Sequence, residues 1–117
     1  MTTLDYSVEQ IKDILAEAKA EARKAADAYF QTKLGGVDQY ACGFAWVEIY
    51  GIKASTKLGK AMKAAGIEKN YTGAFSIWNP AEHGAQNIDT KFEGAVAAQK
   101  VFEKYGFKRV FTMSRLD

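Results

Sequence analysis

The chain has 117 residues, 48% of them hydrophobic and 13% aromatic, with one cysteine, one histidine and a formal charge of +2 at pH 7. That length supports one domain with a real apolar core, and a single cysteine excludes an internal disulfide framework. The net charge is too small to imply nucleic acid by itself, no apolar run reaches membrane-spanning length, and the first residues lack a signal-peptide pattern, so a cytoplasmic protein is expected.

With one proline, ten glycines and no repeat, residues 1–117 read as a single compact domain. Ser7 and Gln10 form a capping-box pattern that starts a helix at Val8, and Gly35-Gly36 ends it after about Lys33. Its apolar positions, Val8, Ile11, Leu15, Ala18, Ala22, Ala25 and Tyr29, alternate spacings of three and four, a seam whose middle is alanine. The seam either lies on the small-residue face of the first strand or meets a twin. A homo-oligomer through this seam, or another protein docked there, is the expected partner.

Cys42 to Gly51 reads as a strand apolar on both faces: Phe44, Trp46 and Tyr50 point one way with Glu48, and Ala45, Val47 and Ile49 the other. Such a strand is expected at the centre of its sheet and buried on both sides, Trp46 and Val47 alike, with Cys42 a small buried hydrophobe beside it. Glu48 must then reach an edge, pair with a cation or hold its proton more tightly. Thr56 caps a second helix that turns Leu58, Met62 and Ala65 inward and stops at Gly66, with Ile67 folding back on Met62. After a turn at Asn70 to Gly73, a second strand from Ala74 to Asn79 alternates Phe75 and Ile77 against Ala74, Ser76 and Trp78. Asn79 to Asp89 is the longest polar connection. Thr90 and Glu93 then cap a third helix with the stripe Phe92, Ala95, Val96, Phe102 and Tyr105, and Gly106 leads to a last strand from Phe107 to Ser114.

The reading is an α+β fold in the order α-β-α-β-α-β, a three-stranded sheet with the first strand central and three helices. Alternation favours parallel crossovers, but each connection is long enough for an antiparallel return, so polarity stays open. Parallel strands would gather Asn79, His83, Gln86, Asn87, Asp89 and Arg115 with Lys53, Thr56 and Lys57 at one edge, a pocket for a small anion. Antiparallel strands would divide these residues between two ends.

Gly51 to Lys60 fails as a phosphate loop, because its glycines are too far apart and Ala61 replaces the required hydroxyl. Lys53, Lys57, Lys60 and Lys63 make a basic face on the second helix, solvated or, with Trp78 or Tyr71 to stack a base, a nucleic-acid surface. His83, Glu82 and Asp89 are too few for a specific metal site, so neither metal nor cofactor is expected.

Two stretches carry resemblances. Tyr40-Ala41-Cys42-Gly43-Phe44-Ala45-Trp46 resembles the nucleophile segment of papain-like peptidoglycan endopeptidases, which implies Cys42 as nucleophile, His83 as base and Asp89 or Asn87 as orienter. A reactive thiolate wants a helix amino terminus, whereas Cys42 opens a strand, so a structural cysteine is the alternative. Cys42 to Val47, Trp78-Asn79-Pro80, Gln86-Asn87 and Ser114-Arg115-Leu116-Asp117 resemble short tailed-phage proteins over most of the chain from Tyr40 onward. That resemblance implies a phage context, with the host cytoplasm as location, and no assigned activity. The function expected is a binding or interaction module without catalysis. Its alternatives are a small-anion enzyme using residues 79–89 and a nucleic-acid module using Lys53 to Lys69.

Overall fold

The computed structural model describes residues 4–117, and the expected domain span of 1–117 includes three residues outside that range. α1 (Val8–Thr32) begins with the expected capping box: the Ser7 hydroxyl accepts from the Gln10 N–H, and the Gln10 side chain accepts from the Ser7 N–H. Its end is also as expected, with Gly35 and Gly36 at positive φ. There follow β1 (Gly43–Ile49), α2 (Lys57–Ala64), β2 (Glu68–Lys69), β3 (Phe75–Trp78), α3 (Ile88–Lys104) and β4 (Val110–Leu116).

The strands lie in the order β2-β3-β1-β4, every neighbouring pair antiparallel. β1 is central as expected, but the sheet has four strands, not three. Glu68 and Lys69 pair with Ser76 and Phe75 across the Asn70–Gly73 turn, where Asn70 Oδ1 accepts from the Thr72 N–H, the Thr72 hydroxyl and the Ala74 N–H. A two-residue ladder is too short to leave a periodic trace in sequence. The polarity resolves in an instructive way. Strands joined through a helix do run parallel, β1 with β2 and β3 with β4, yet each such pair is separated by an antiparallel strand. After α1 the chain is therefore two interleaved split β-α-β units.

Ala45, Val47, Ile49, Phe75, Ile77 and Val110 face the helices and join buried side chains of α1, α2 and α3 in one core. All three helices contribute to this side. α1 packs chiefly along α3, which in turn lies on β1 and β4, so the alanine seam meets α3 and not the small-residue face of β1. Its buried positions are Ile11, Ile14, Ala18, Ala22 and Ala26. Ile14 and Ala26 replace the expected Leu15 and Ala25 because a straight helix drifts from a strict heptad.

Three further expectations are corrected. α3 is capped by Asn87, whose Oδ1 accepts from the Thr90 N–H at 2.8 Å, so Thr90 lies inside the helix. The buried face of α3 is Thr90, Gly94, Ala95, Ala98, Val101 and Phe102, which keeps Ala95 and Phe102 of the expected stripe and leaves Phe92, Val96 and Tyr105 partly buried at its flanks. Phe107 belongs to the end of α3, its N–H bonded to the Phe102 carbonyl and its ring edge-on to Phe102 at 5.4 Å, and β4 starts three residues later. Finally, β1 is not covered on both faces: Val47 is fully buried, whereas Trp46 is only half-buried.

Gly94 sets the distance between α1 and α3. A Cβ there would stand 2.7 Å from Ala81 Cβ and 3.1 Å from the Ala22 carbonyl oxygen. Gly→Ala inside a helix ordinarily gains about 1 kcal/mol from backbone entropy, but overpacking costs about 1–3 kcal/mol. Gly94→Ala is therefore expected to lower stability by about 1 kcal/mol in urea unfolding. A gain would contradict the close approach of the two helices.

Candidate binding surface

The face of the sheet turned away from the helices carries large side chains in register. Phe44, Trp46, Glu48 and Tyr50 come from β1, Ser76 and Trp78 from β3, Phe111, Met113 and Arg115 from β4, and Glu68 from β2. Trp78 is 55% exposed, Phe111 47% and Met113 37%. The Trp46 and Trp78 rings stack at 5.2 Å, Phe44 lies 5.4 Å from Trp78, and Tyr50 meets Phe111 edge-on at 5.9 Å. Cations rim the patch: Lys91 and Arg115 stand 5.3 and 5.5 Å from the Phe44 ring centre, and Arg109 stands 5.7 Å from that of Tyr50.

Glu48 lies in the middle of this face, nearly buried. Its carboxylate accepts from Trp46 Nε1 at 2.8 Å, the Tyr50 hydroxyl at 2.6 Å and Asn70 Nδ2 at 3.2 Å. Three neutral donors thus satisfy its oxygens, where a sheet edge or a cation was among the expected partners. The same bonds hold Trp46 and Tyr50 in fixed orientations. They connect the chemistry of one carboxylate to the shape of the whole aromatic surface.

The antiparallel register decides where the sequence-predicted residues fall. Arg115 lies opposite Phe44 and Trp78 opposite Trp46, so Arg115 and the 79–89 loop share one end of the sheet, while Lys53, Thr56 and Lys57 follow β1 at the other. The single pocket that parallel strands would make does not form. Within the loop the polar groups turn to one another. Asp38 accepts from the Gln86 N–H at 2.7 Å, the Asn87 N–H at 3.1 Å and Asn87 Nδ2 at 3.0 Å, so the chain's own carboxylate fills the anion position. His83 Nδ1 accepts from the Ala85 N–H, which leaves the proton on Nε2, directed to Asp27 Oδ1 at 3.0 Å. With its ring 5.2 Å from Phe30, His83 ties the loop to α1, and both nitrogens are occupied. Asn79 sits at φ 41°, donates to the His83 carbonyl at 3.5 Å and leaves its buried Oδ1 unpartnered. Asp89 is exposed in the first turn of α3, where it complements the helix dipole.

Cys42 is exposed, not buried, and bridges to Asn87 beside the start of α3. Asp38 and Asn87 already engage the N–H groups there. Among the described residues no three His, Cys, Asp or Glu side chains stand close enough to hold a metal ion. Lys60 and Lys63 are exposed on α2, and Lys57 pairs with Asp5 at 2.8 Å. These lysines project from the helical layer while Trp78 lies on the open face, so the basic and stacking elements belong to different surfaces. A cavity of about 550 Å³ lies below them, lined by Leu4, Ile49, Ile52, Leu58 and Phe107, with Lys53 and Arg109 also in its wall.

The segments Cys42 to Val47, Trp78 to Pro80, Gln86-Asn87 and Ser114 to Asp117 meet in one corner. The Gly43 N–H bonds the Gln86 carbonyl, the Asn79 N–H the Ala45 carbonyl, and the Asp117 N–H the Cys42 carbonyl, at 3.0 to 3.1 Å. Asp38, the residue that organises this corner, went unnoticed in the sequence because its partners lie 48 and 49 residues away. No local pattern could signal it.

The Gln86 N–H foremost, then the Asn87 side chain, hold the Asp38 carboxyl below the usual carboxylate range. A depressed folded-state pKa contributes stability above the unfolded value of about 4, and that contribution is lost as pH falls through the folded pKa. Asp38→Asn is therefore expected to lower the urea midpoint at pH 7, with the deficit shrinking as pH drops below about 4. An undiminished deficit at low pH would mean that the charge is not what matters. No protein-family model, curated protein or solved structure matched the chain.

Proposed function

We propose that this chain is a binding module, working by association and not by catalysis, whose working surface is the open face of its sheet. The observation that carries the reading is the row Phe44, Trp46, Trp78, Met113 and Phe111 on a face that no helix covers among the described residues. Contiguous exposed apolar patches of this kind mark interaction sites, and aromatic residues, Met and Arg are the types enriched at interface centres. Glu48 pre-orients Trp46 and Tyr50, which reduces the ordering cost of association.

Trp46 and Trp78 are the chain's two tryptophans, so any occupant of this face reports itself through their emission. Trp78→Ser is expected to lower unfolding free energy by about 1–2 kcal/mol, through the lost stack on Trp46 and contact with Phe44, and to leave the chain folded. Affinity for the occupant is expected to fall about 30-fold or more, the loss typical of an aromatic hot spot. Tyr71→Ser, at the fully exposed tip of the β2–β3 hairpin, should change neither. An occupant that binds Trp78→Ser and the unmodified chain equally would move the function to another surface.

A further inference from the structure

We propose that the occupant of the open face is a second copy of this chain, packed sheet against sheet about a two-fold axis parallel to the strands. The inference rests on the reading of that face as the binding surface and adds who binds it. Its first support is the distribution of charge. The β2 side carries Glu68, the β4 side carries Arg109 and Arg115, and the apolar residues lie between. A two-fold axis along the strands exchanges the two edges, setting Glu68 of each copy over Phe111 of the other, with Arg109 two residues before it and within side-chain reach. An axis across the strands would set β4 on β4, cation against cation. Complementarity therefore selects one of the two face-to-face arrangements.

The register supports the same axis. Exchanging the edges places β3 of one copy over β1 of the other, so Trp78 faces Trp46 and the Ser76 hydroxyl faces the Glu48 carboxylate. Strands so aligned are within the range of packed sheets once each sheet's twist is included. Glu48 is only 7% exposed in the single copy, so covering it removes little further hydration. With strands of two, four, seven and seven residues, about 4.8 Å apart and about 3.4 Å per residue, the backbone of the face spans about 330 Å² per copy, or about 650 Å² over two copies, and the exposed side chains of Trp78, Phe111 and Met113 add to what covering it buries. A single-stranded nucleic acid fits less well. Glu48 and Glu68 stand on the face itself, and the lysines of α2 belong to the other layer.

The test is the mass in solution by sedimentation equilibrium across micromolar concentrations, read together with tryptophan emission. The expected species has twice the 12.9 kDa protomer mass, with emission that shifts to the red on dilution. Met113→Glu should give the protomer mass with unchanged far-UV circular dichroism, which separates lost association from lost folding. Glu68→Arg should weaken association at least tenfold, and adding Arg109→Glu in the same chain should restore it. A Glu68→Arg chain that associates as before would overturn the axis. A protomer mass throughout would overturn the dimer, and if a single-stranded oligonucleotide or another protein then quenched the tryptophans, the open face would stand as a binding surface for that partner instead. A dimer untouched by Met113→Glu would overturn the dimer through this face and place the contact between copies elsewhere.

Discussion

β1 has no polar face to turn outward. Ala45, Val47 and Ile49 occupy one side and Phe44, Trp46 and Tyr50 the other, with β3 and β4 hydrogen-bonded along its two edges. Whichever side the helices take, an apolar face is left over. The molecule places all three helices on the small side of the sheet, with α3 directly against β1, and Ala45 and Val47 there are almost wholly buried. Small side chains let a helix lie close to a sheet, whereas a layer of tryptophan and phenylalanine would hold it away. The aromatic side is left open as a consequence, and everything concluded about function descends from that.

Holding the helices on one side requires close packing between them. Gly94, Ala81, Ala22 and Ala26 provide it where α3 crosses α1. Towards the end of α3, Glu17 accepts from the Tyr105 hydroxyl and pairs with Lys104, and the Tyr6 hydroxyl donates to the Tyr105 carbonyl at 2.6 Å. The lysine bond, followed by the tyrosine bond, draws the Glu17 carboxyl below its ordinary range, and the bond to Glu17 foremost pushes the Tyr105 hydroxyl above its own. Polar contacts at the helix ends fix the register that the small residues allow.

The polar connection after β3 shows how a feature that looks like a site becomes structure. Its amide groups and its histidine have the chemistry to bind a small anion. In the fold they bind Asp38 and Asp27, carboxylates carried by the loop after α1 and by α1 itself. A chain that supplies its own anion closes the connection against the body of the domain and holds β3, β1 and α3 together at one corner. That corner is the floor from which Phe44 and Trp78 project.

Local chemistry was legible in the sequence wherever it acts over a few residues. The Ser7 and Thr56 caps, the glycine stops, the alternation of β1 and β3, and the central place of β1 all follow from propensities and periods that need no distant partner. Even the missed α3 start was a choice between two local caps, Asn87 and Thr90, decided by the bridge from Asn87 to Cys42 and its bond to Asp38. What tertiary structure alone decided was sidedness. An apolar residue such as Trp46 announces that it will be covered and does not say by what, because burial inside one chain and burial against another remove the same surface from water. The antiparallel register, the two-residue strand β2 and the carboxylate at Asp38 are likewise relations between segments far apart in the chain. They arise when the sheet closes and the helices select its small-residue face, and no single stretch of sequence contains that selection.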